Sequence, residues 1–469
     1  MKWIIYIAFM IPFLGYTQGR VGVILEDLPS DTITHTLKEH SGMKPRIRLA
    51  RGNERERYIR LNALGDVNYI QANRSQYKLG VGLEVESSIN DKWYIRAAGV
   101  QGVYDTDTLF TPKSYVRVPV GSTNLYTDMR GRVSYTPNHI FNFQAGLDHN
   151  FIGEGSRSLF LSDYGNPYPF GLIRANFWRF EYSILYQFMK ERDQNRWEGK
   201  FASSHHISFN AAKWLNIGVF ETVIFQPKDT NLRRGFDIEY LNPLVFYRPQ
   251  EYSLGSSDNV LLGVSLTANW KGHYFYSQFI LDEFYLAELR AKTGWWANKF
   301  GGQFGFKGRF GNGNHRFFYR AEYNFVRPYT YAHISEELNY GNQGLSLAHP
   351  YGSNFKELLA EFKWSHKKWN AKFFGSYFLK GLDQDGFSYG GDIYQSYTAR
   401  PYEYDHWTGQ GLRENGLRFM ISGSYQVSKM GNLNAFVENH LHHSMLNDRW
   451  NYTLVVGVRS MLWNDYRNY

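Results

Sequence analysis

Residues 77–86 read Tyr77-Lys78-Leu79-Gly80-Val81-Gly82-Leu83-Glu84-Val85-Glu86. Side chains of an extended strand point alternately to its two sides. Tyr77, Leu79, Val81, Leu83 and Val85 therefore share one apolar face. Lys78, Gly80, Gly82, Glu84 and Glu86 share a polar one. The same period recurs down the chain. Phe141, Phe143, Ala145 and Leu147 oppose Asn142, Gln144, Gly146 and Asp148; Leu262, Val264, Leu266, Ala268 and Trp270 oppose Gly263, Ser265, Thr267 and Asn269. Phe304, Phe306 and Phe310 oppose Gln303, Lys307 and Arg309. Phe317, Tyr319, Ala321, Tyr323 and Phe325 oppose Arg316, Arg320, Glu322 and Asn324. Near the C-terminus Leu417, Phe419, Ile421, Tyr425 and Val427 oppose Arg418, Ser422, Ser424 and Gln426.

A soluble sandwich also alternates, so alternation alone does not decide the class. Strand length does. These runs reach about 10 residues, what a tilted strand needs to cross the hydrocarbon layer. Opposed Arg and Glu with Gly between them suit a crowded lumen stitched by ion pairs. The reading is all-β: a transmembrane antiparallel β-barrel.

The connections agree. Tight polar turns fall at 137–139, 212–214, 271–273, 311–314, 366–368 and 429–432, and long segments at 104–125, 150–170, 226–259, 327–353 and 381–413. Short periplasmic turns and long extracellular loops are the usual barrel asymmetry. Trp93, Trp214, Trp270, Trp369 and Trp463 lie at strand ends, where aromatic belts form. The strand count runs from about 16 to 19, and the even-number rule selects 18. The last strand is expected over Tyr452–Trp463.

The N-terminus adds a compartment. Lys2 precedes an apolar run, Trp3–Leu14, and small residues follow at 15–19. The run is too short for a membrane helix of roughly 20 residues and reads as a signal peptide over 1–19. Residues 20–58, with a helix start near Ser30 or Asp31 and a charged stretch from Lys44 to Arg57, read as an N-terminal periplasmic or plug segment. The barrel then occupies 59–469.

Composition fits this class. The chain carries 36 Tyr, 35 Phe and 13 Trp, or 18% aromatics, roughly double the usual share. Mean hydropathy is nonetheless −0.48, as expected when a lipid face alternates with a polar lumen. The 469 residues include no cysteine, which removes thiol nucleophiles and thiolate metal sites. The net charge of +9 is spread along the chain and mixed with acids, so no nucleic-acid stripe is read.

Three polar clusters stand out. The first runs from Asp148 to Ser158 and on to Pro169, and includes Gly153, Glu154, Arg157 and Asp163. The second holds Glu239, Asn242, Arg248, Glu251, Asp258 and Asn259. The third is Asp282-Glu283. All twelve residues are expected in a lumen network. Adjacent Asp282 and Glu283 would face opposite sides of a strand, so no acid/base dyad follows from their proximity. His440 and His442 share a strand face without a third ligand, and Asp383-Gln384-Asp385-Gly386 lacks the later Glu of a calcium loop. No metal, cofactor or catalytic residue is assigned. The 381–413 segment offers Tyr389, Tyr394, Tyr397, Tyr402, Tyr404 and Trp407, flat faces suited to glycan or protein contact, or to packing over the barrel mouth.

The run Asn150–Asp163 with Pro167-Tyr168-Pro169 resembles the capsule-assembly Wzi family, nearest its gliding-motility branch, the RemB-type barrels. Tyr240-Leu241-Asn242-Pro243, Ser257-Asp258-Asn259 and Asp282-Glu283 occur in the expected order. So do Tyr329–His333, Asn339-Tyr340-Gly341 and His349–Asn354. The resemblance implies an 18-stranded outer-membrane barrel with a plugged lumen, acting as a lectin for capsular polysaccharide. Other branches serve gliding motility and surface-protein complexes. Expected partners are outer-membrane lipids, a surface polysaccharide or an outer-membrane protein complex for motility or protein export.

Overall fold

The computed structural model describes residues 43–44, 58–89, 92–105, 116–120, 123–193, 196–227, 235–242, 258–312, 314–429 and 432–460. The expected signal peptide, most of the 20–58 segment and Trp463 lie outside them.

Eighteen antiparallel strands close a barrel. They are β1 (Tyr58–Gln71), β2 (Ser75–Ser88), β3 (Trp93–Asp105), β4 (Thr123–Tyr135), β5 (Phe141–Asp148) and β6 (Tyr168–Phe177). Then come β7 (Phe180–Asp193), β8 (Arg196–Ala212), β9 (Leu215–Phe225), β10 (Asn259–Trp270), β11 (His273–Leu281) and β12 (Phe300–Asn312). The last six are β13 (His315–Val326), β14 (Phe355–His366), β15 (Trp369–Leu382), β16 (Leu412–Ser428), β17 (Leu433–Ser444) and β18 (Arg449–Ser460). Each pairs with the next. The wall closes where Asp66–Gln71 of β1 meet Arg459–Leu454 of β18. β5 is short and meets only Gly131–Tyr135 of β4, so the small strand Val116–Val120 takes the free edge at Thr123–Thr127.

Burial is inverted relative to a soluble protein. Val81 and Leu83 are 63% and 65% exposed on the outer face, while Glu84 between them and Val85 is 5% exposed in the lumen. A wall that shows apolar groups outward and hides its charges within is stable when its surroundings are hydrocarbon. Among the described residues no helix is long and apolar enough to cross a membrane. The strands cross it.

With an even strand number, the first strand starts and the last strand ends at the same end, here called the near end. The near end carries only short turns. Lys271 and Gly272 join β10 to β11 with φ of 50° and 83°. Two successive positive φ values match the twist of a tight hairpin, and glycine adopts one without strain. Trp93, Trp178, Trp214, Trp270 and Trp369 are exposed in a ring at this end. The long connections gather at the far end. The expected last strand, Tyr452–Trp463, begins earlier, at Arg449, because Arg449 and Trp450 already pair with Ser444 and His443 of β17.

Candidate functional site: a filled lumen and an aromatic mouth

The connection from β5 to β6 turns into the barrel. Its pivot is Arg132 of β4, a lumen residue with no exposed surface to spare. Arg132 donates to Gln144 Oε1 at 2.6 Å, the His149 carbonyl at 2.7 Å and Asn150 Oδ1 at 3.2 Å, and its Nε lies 3.4 Å from Asp148. A buried guanidinium needs such partners to offset its lost hydration. From there the chain descends through Phe151–Ile152, which pair with Met43–Lys44 from the N-terminal side.

The inserted segment is held mainly through its backbone. Glu322 Oε2 and Oε1 accept the N–H groups of Ser156 and Arg157 at 2.8 and 3.2 Å. Gln278 accepts the Leu159 N–H at 2.9 Å and donates to the Ile152 carbonyl at 3.1 Å. Gln303 donates to the Arg157 carbonyl at 3.1 Å. Lys307 Nζ sits 2.7 Å from both the carbonyl and the carboxylate of Glu154. Arg157 faces Glu357 at 3.6 Å, and Glu357 also meets His349 Nε2 at 2.9 Å. Gly153 holds a φ of 146°, and a Cβ there would lie 2.7 Å from Gln278 Nε2, so only glycine fits the turn. Leu159, Phe160 and Leu161 are fully buried, and Phe160 stacks on Phe220 of β9 at 4.9 Å.

The β13–β14 connection packs on top. Tyr331 and Tyr340 donate their hydroxyls to the carbonyls of Leu159 and Phe160, each at 2.7 Å. Ser162 bonds Leu347 and Ala348. Two loops far apart in sequence thus fill the lumen together.

Above them lies the mouth. β11 ends at Leu281, so Asp282 and Glu283 do not take opposite strand faces as expected. Both turn to buried Lys299, whose Nζ is 3.8 Å from Asp282 and 3.1 Å from Glu283. Lys299 also lies 4.2 Å from the ring of Tyr397. Tyr397 packs on Trp296 at 4.6 Å, and Arg400 covers Trp296 at 4.2 Å. Burial, with the Lys299 charge adding to it, holds His333 down to about 4, so this ring is neutral at pH 7. The β15–β16 connection is fastened by Asn354. Its amide donates to the carbonyls of Gln410 and Tyr389 at 3.0 and 3.1 Å and accepts from the Gly409 N–H at 2.6 Å. Asp383 Oδ1 accepts the N–H of Tyr389 at 2.5 Å, closing a turn from within.

The six aromatic candidates on this connection divide. Tyr402, Tyr404 and Trp407 are exposed, with Trp407 under the Arg413 guanidinium at 4.5 Å. Tyr389 and Tyr397 are half-buried, and Tyr394 turns in to donate to the Leu345 carbonyl at 3.1 Å. Burial pushes the Tyr394 hydroxyl well above its ordinary pKa.

Glu154, Arg157 and Asp163 lie buried on the inserted segment with half-buried Gly153, and Asn259 reaches the Leu338 carbonyl inside. Asp258, at the wall's upper rim, accepts the Tyr240 hydroxyl at 2.6 Å. Glu239 and Asn242 are not in the lumen. Phe236 and Tyr240 draw their segment onto an aromatic patch outside the wall, leaving Glu239 exposed. Arg248 and Glu251 lie outside the described residues. Sequence reasoning missed Trp295, Trp296, Lys299, Arg400 and Arg413. The Trp295-Trp296 doublet after Gly294, away from any strand end, was the available signal.

No family model matches the chain, and no curated protein matches it in sequence. Among solved structures it is similar to Wzi from Escherichia coli, at 13% identity over 84% of this chain and 83% of that one, with a TM-score of 0.54. That protein is described as an outer-membrane, carbohydrate-binding β-barrel involved in group 1 capsule assembly. The likeness is one of fold. OccK5 from Pseudomonas aeruginosa is also similar, at 11% identity over 86% and 98% of the two chains with a TM-score of 0.44. OccAB4 from Acinetobacter baumannii follows at 8% identity over 87% and 99%, with a TM-score of 0.46.

Proposed function

We propose that this chain is an exported, non-catalytic outer-membrane barrel of the Wzi type that attaches surface polysaccharide or assists capsule or exopolysaccharide assembly. One observation carries the reading. Tyr402, Tyr404 and Trp407 are exposed at the mouth of a lumen filled by its own loops, so a ligand meets the rim and does not pass through. Aromatic faces stack on sugar C–H groups, and Arg400 and Arg413 beside them favour acidic residues of a glycan. The fold shared with a carbohydrate-binding barrel supports the same reading.

The test is purification of the tagged protein from its native outer membrane in mild detergent, with bound sugars identified by mass spectrometry. Wild type is expected to retain polysaccharide. Simultaneous Tyr402→Ala, Tyr404→Ala and Trp407→Ala should reduce retention at least about tenfold, given roughly 0.5–1.5 kcal/mol per aromatic contact. Equal retention by the triple variant removes the mouth as the site.

A second reading makes the barrel a structural subunit of an outer-membrane complex for gliding motility or protein export, the role of the RemB-type branch. It is favoured by Leu286 and Leu289, exposed on one helical turn of the β11–β12 connection that follows exposed Phe284 and Tyr285. Stoichiometric protein partners without glycan would select it.

A further inference from the structure

Over most of the wall the outward strand positions are exposed and apolar. On β7–β9 the pattern breaks. Ile184, Ser203, His205, Glu221 and Val223 share the outward face with exposed Phe188 and Val219. Phe220, between Val219 and Glu221, turns inward to Phe160. Yet all five are buried.

Part of the cover is residues 235–242, from the β9–β10 connection. Phe236 packs on Phe188, Phe201 and Phe225 with centroids 5.7, 5.3 and 5.2 Å away, and Tyr240 packs on Phe225 at 4.7 Å. The Tyr240 carbonyl accepts the Ser203 hydroxyl at 3.0 Å, and the Leu241 carbonyl accepts that of Tyr186 at 3.2 Å. The segment is therefore folded down the outside of the barrel. Its single 3₁₀ turn, Ile238–Leu241, is capped by Asp237 and presses Tyr240 to the wall. Residues three apart eclipse one another in a 3₁₀ turn. Ile238 and Leu241 consequently share the opposite side, 77% and 44% exposed.

The height of this turn identifies what meets it. Phe188, Phe201 and Phe225 are register partners, and Phe225 stands eleven residues up the chain from Trp214 in the near-end ring. At about 3.3 Å per residue and about 40° of tilt, that is about 28 Å, the upper edge of an apolar band about 25 Å tall. The exposed face of Ile238 and Leu241 continues the apolar belt at that level.

We infer that residues 235–242 form an external strap that seats Ile238 and Leu241 among the acyl chains at the upper edge of the outer leaflet. The inference rests on the membrane-spanning barrel and is independent of what the mouth binds. The strap takes the place of lipid over Ser203, whose hydroxyl it accepts at the Tyr240 carbonyl, and gives the chain a lipid-contact surface beyond its strands.

The absence of cysteine makes the test direct. Single nitroxide labels are placed through Ile238→Cys and Leu241→Cys, with Val264→Cys on the exposed wall and Asp385→Cys on an exposed loop turn as references. Each protein is reconstituted into liposomes of outer-membrane lipid extract, and heat-modifiable gel migration verifies the closed barrel. Power saturation then compares collision with oxygen and with a water-soluble nickel chelate. Labels at 238 and 241 should match position 264, with oxygen favoured several-fold, and position 385 should favour nickel. Nickel access at 238 and 241 equal to that at 385 overturns the strap. Exclusion from both reagents, or dipolar broadening between labels, places a protein there and overturns lipid as the partner. Leu241→Cys reads the same face if a label at 238 disturbs the turn.

Discussion

The Glu322 carboxylate serves four donors. Besides the N–H groups of Ser156 and Arg157 it accepts the Tyr276 hydroxyl at 2.8 Å and the Asn324 amide at 2.9 Å. Changing it to glutamine keeps the shape but turns one acceptor into an NH₂ group facing donors. Removing one side of such a buried arrangement costs about 2–4 kcal/mol. Glu322→Gln should therefore unfold at a clearly lower urea concentration, read as loss of heat-modifiable migration. An unchanged midpoint would show that the Glu322 carboxylate contributes nothing to barrel stability. Alternation placed Glu322 on the polar face of its strand, because period two is a local property. Its bond to Ser156 spans 166 residues, and no local pattern encodes such a partner. The same limit explains Glu239, whose polar neighbours resembled a lumen cluster. Phe236 and Tyr240, rather than the acids, decide where that segment goes.

At the scale of elements, each strand carries its own two-faced signal, and several tight turns carry glycine or asparagine. Six of the eight near-end turns were therefore legible, while those at 89–92 and 178–179 were not. The connections were legible only in length. Whether 149–167 arches over the mouth or enters it depends on lumen partners from β11, β12 and β13, which surround it with Gln278, Gln303, Lys307 and Glu322. Those partners lie on the wall, so the wall should survive without the insert. Replacing residues 153–163 with a short Gly-Ser turn is expected to leave a closed, heat-modifiable barrel whose lumen admits ions. In planar bilayers the variant should show conductance steps about tenfold larger than wild type, since a pore conducts once its packed constriction is gone. Wild-type steps as large as those of the variant would mean that the insert fills space without sealing it.

For the whole molecule, strand parity and the lipid belt fix an orientation that no single element states. Eighteen strands put only short turns, from Lys92 to Asn432, at one end together with exposed Trp93, Trp178, Trp214, Trp270 and Trp369, and every long connection at the other. The sequence bracketed the strand number and needed the parity rule to settle it, because β5 and the strand Val116–Val120 share one edge of β4 and blur the count. What the mouth recognises stayed illegible for a different reason. Its chemistry is assembled from three connections, with Trp296 and Lys299, His333, and Tyr397 and Arg400 meeting only in the folded state. If that mouth faces outward, as short inner turns and long outer loops imply, a cysteine at Asp385 should react with a membrane-impermeant maleimide on intact cells. A cysteine at Lys368, in the tight turn between β14 and β15, should react only after the outer membrane is opened. The reverse pattern would turn the barrel over and leave Tyr402, Tyr404 and Trp407 facing the periplasm, where no surface polysaccharide could be held.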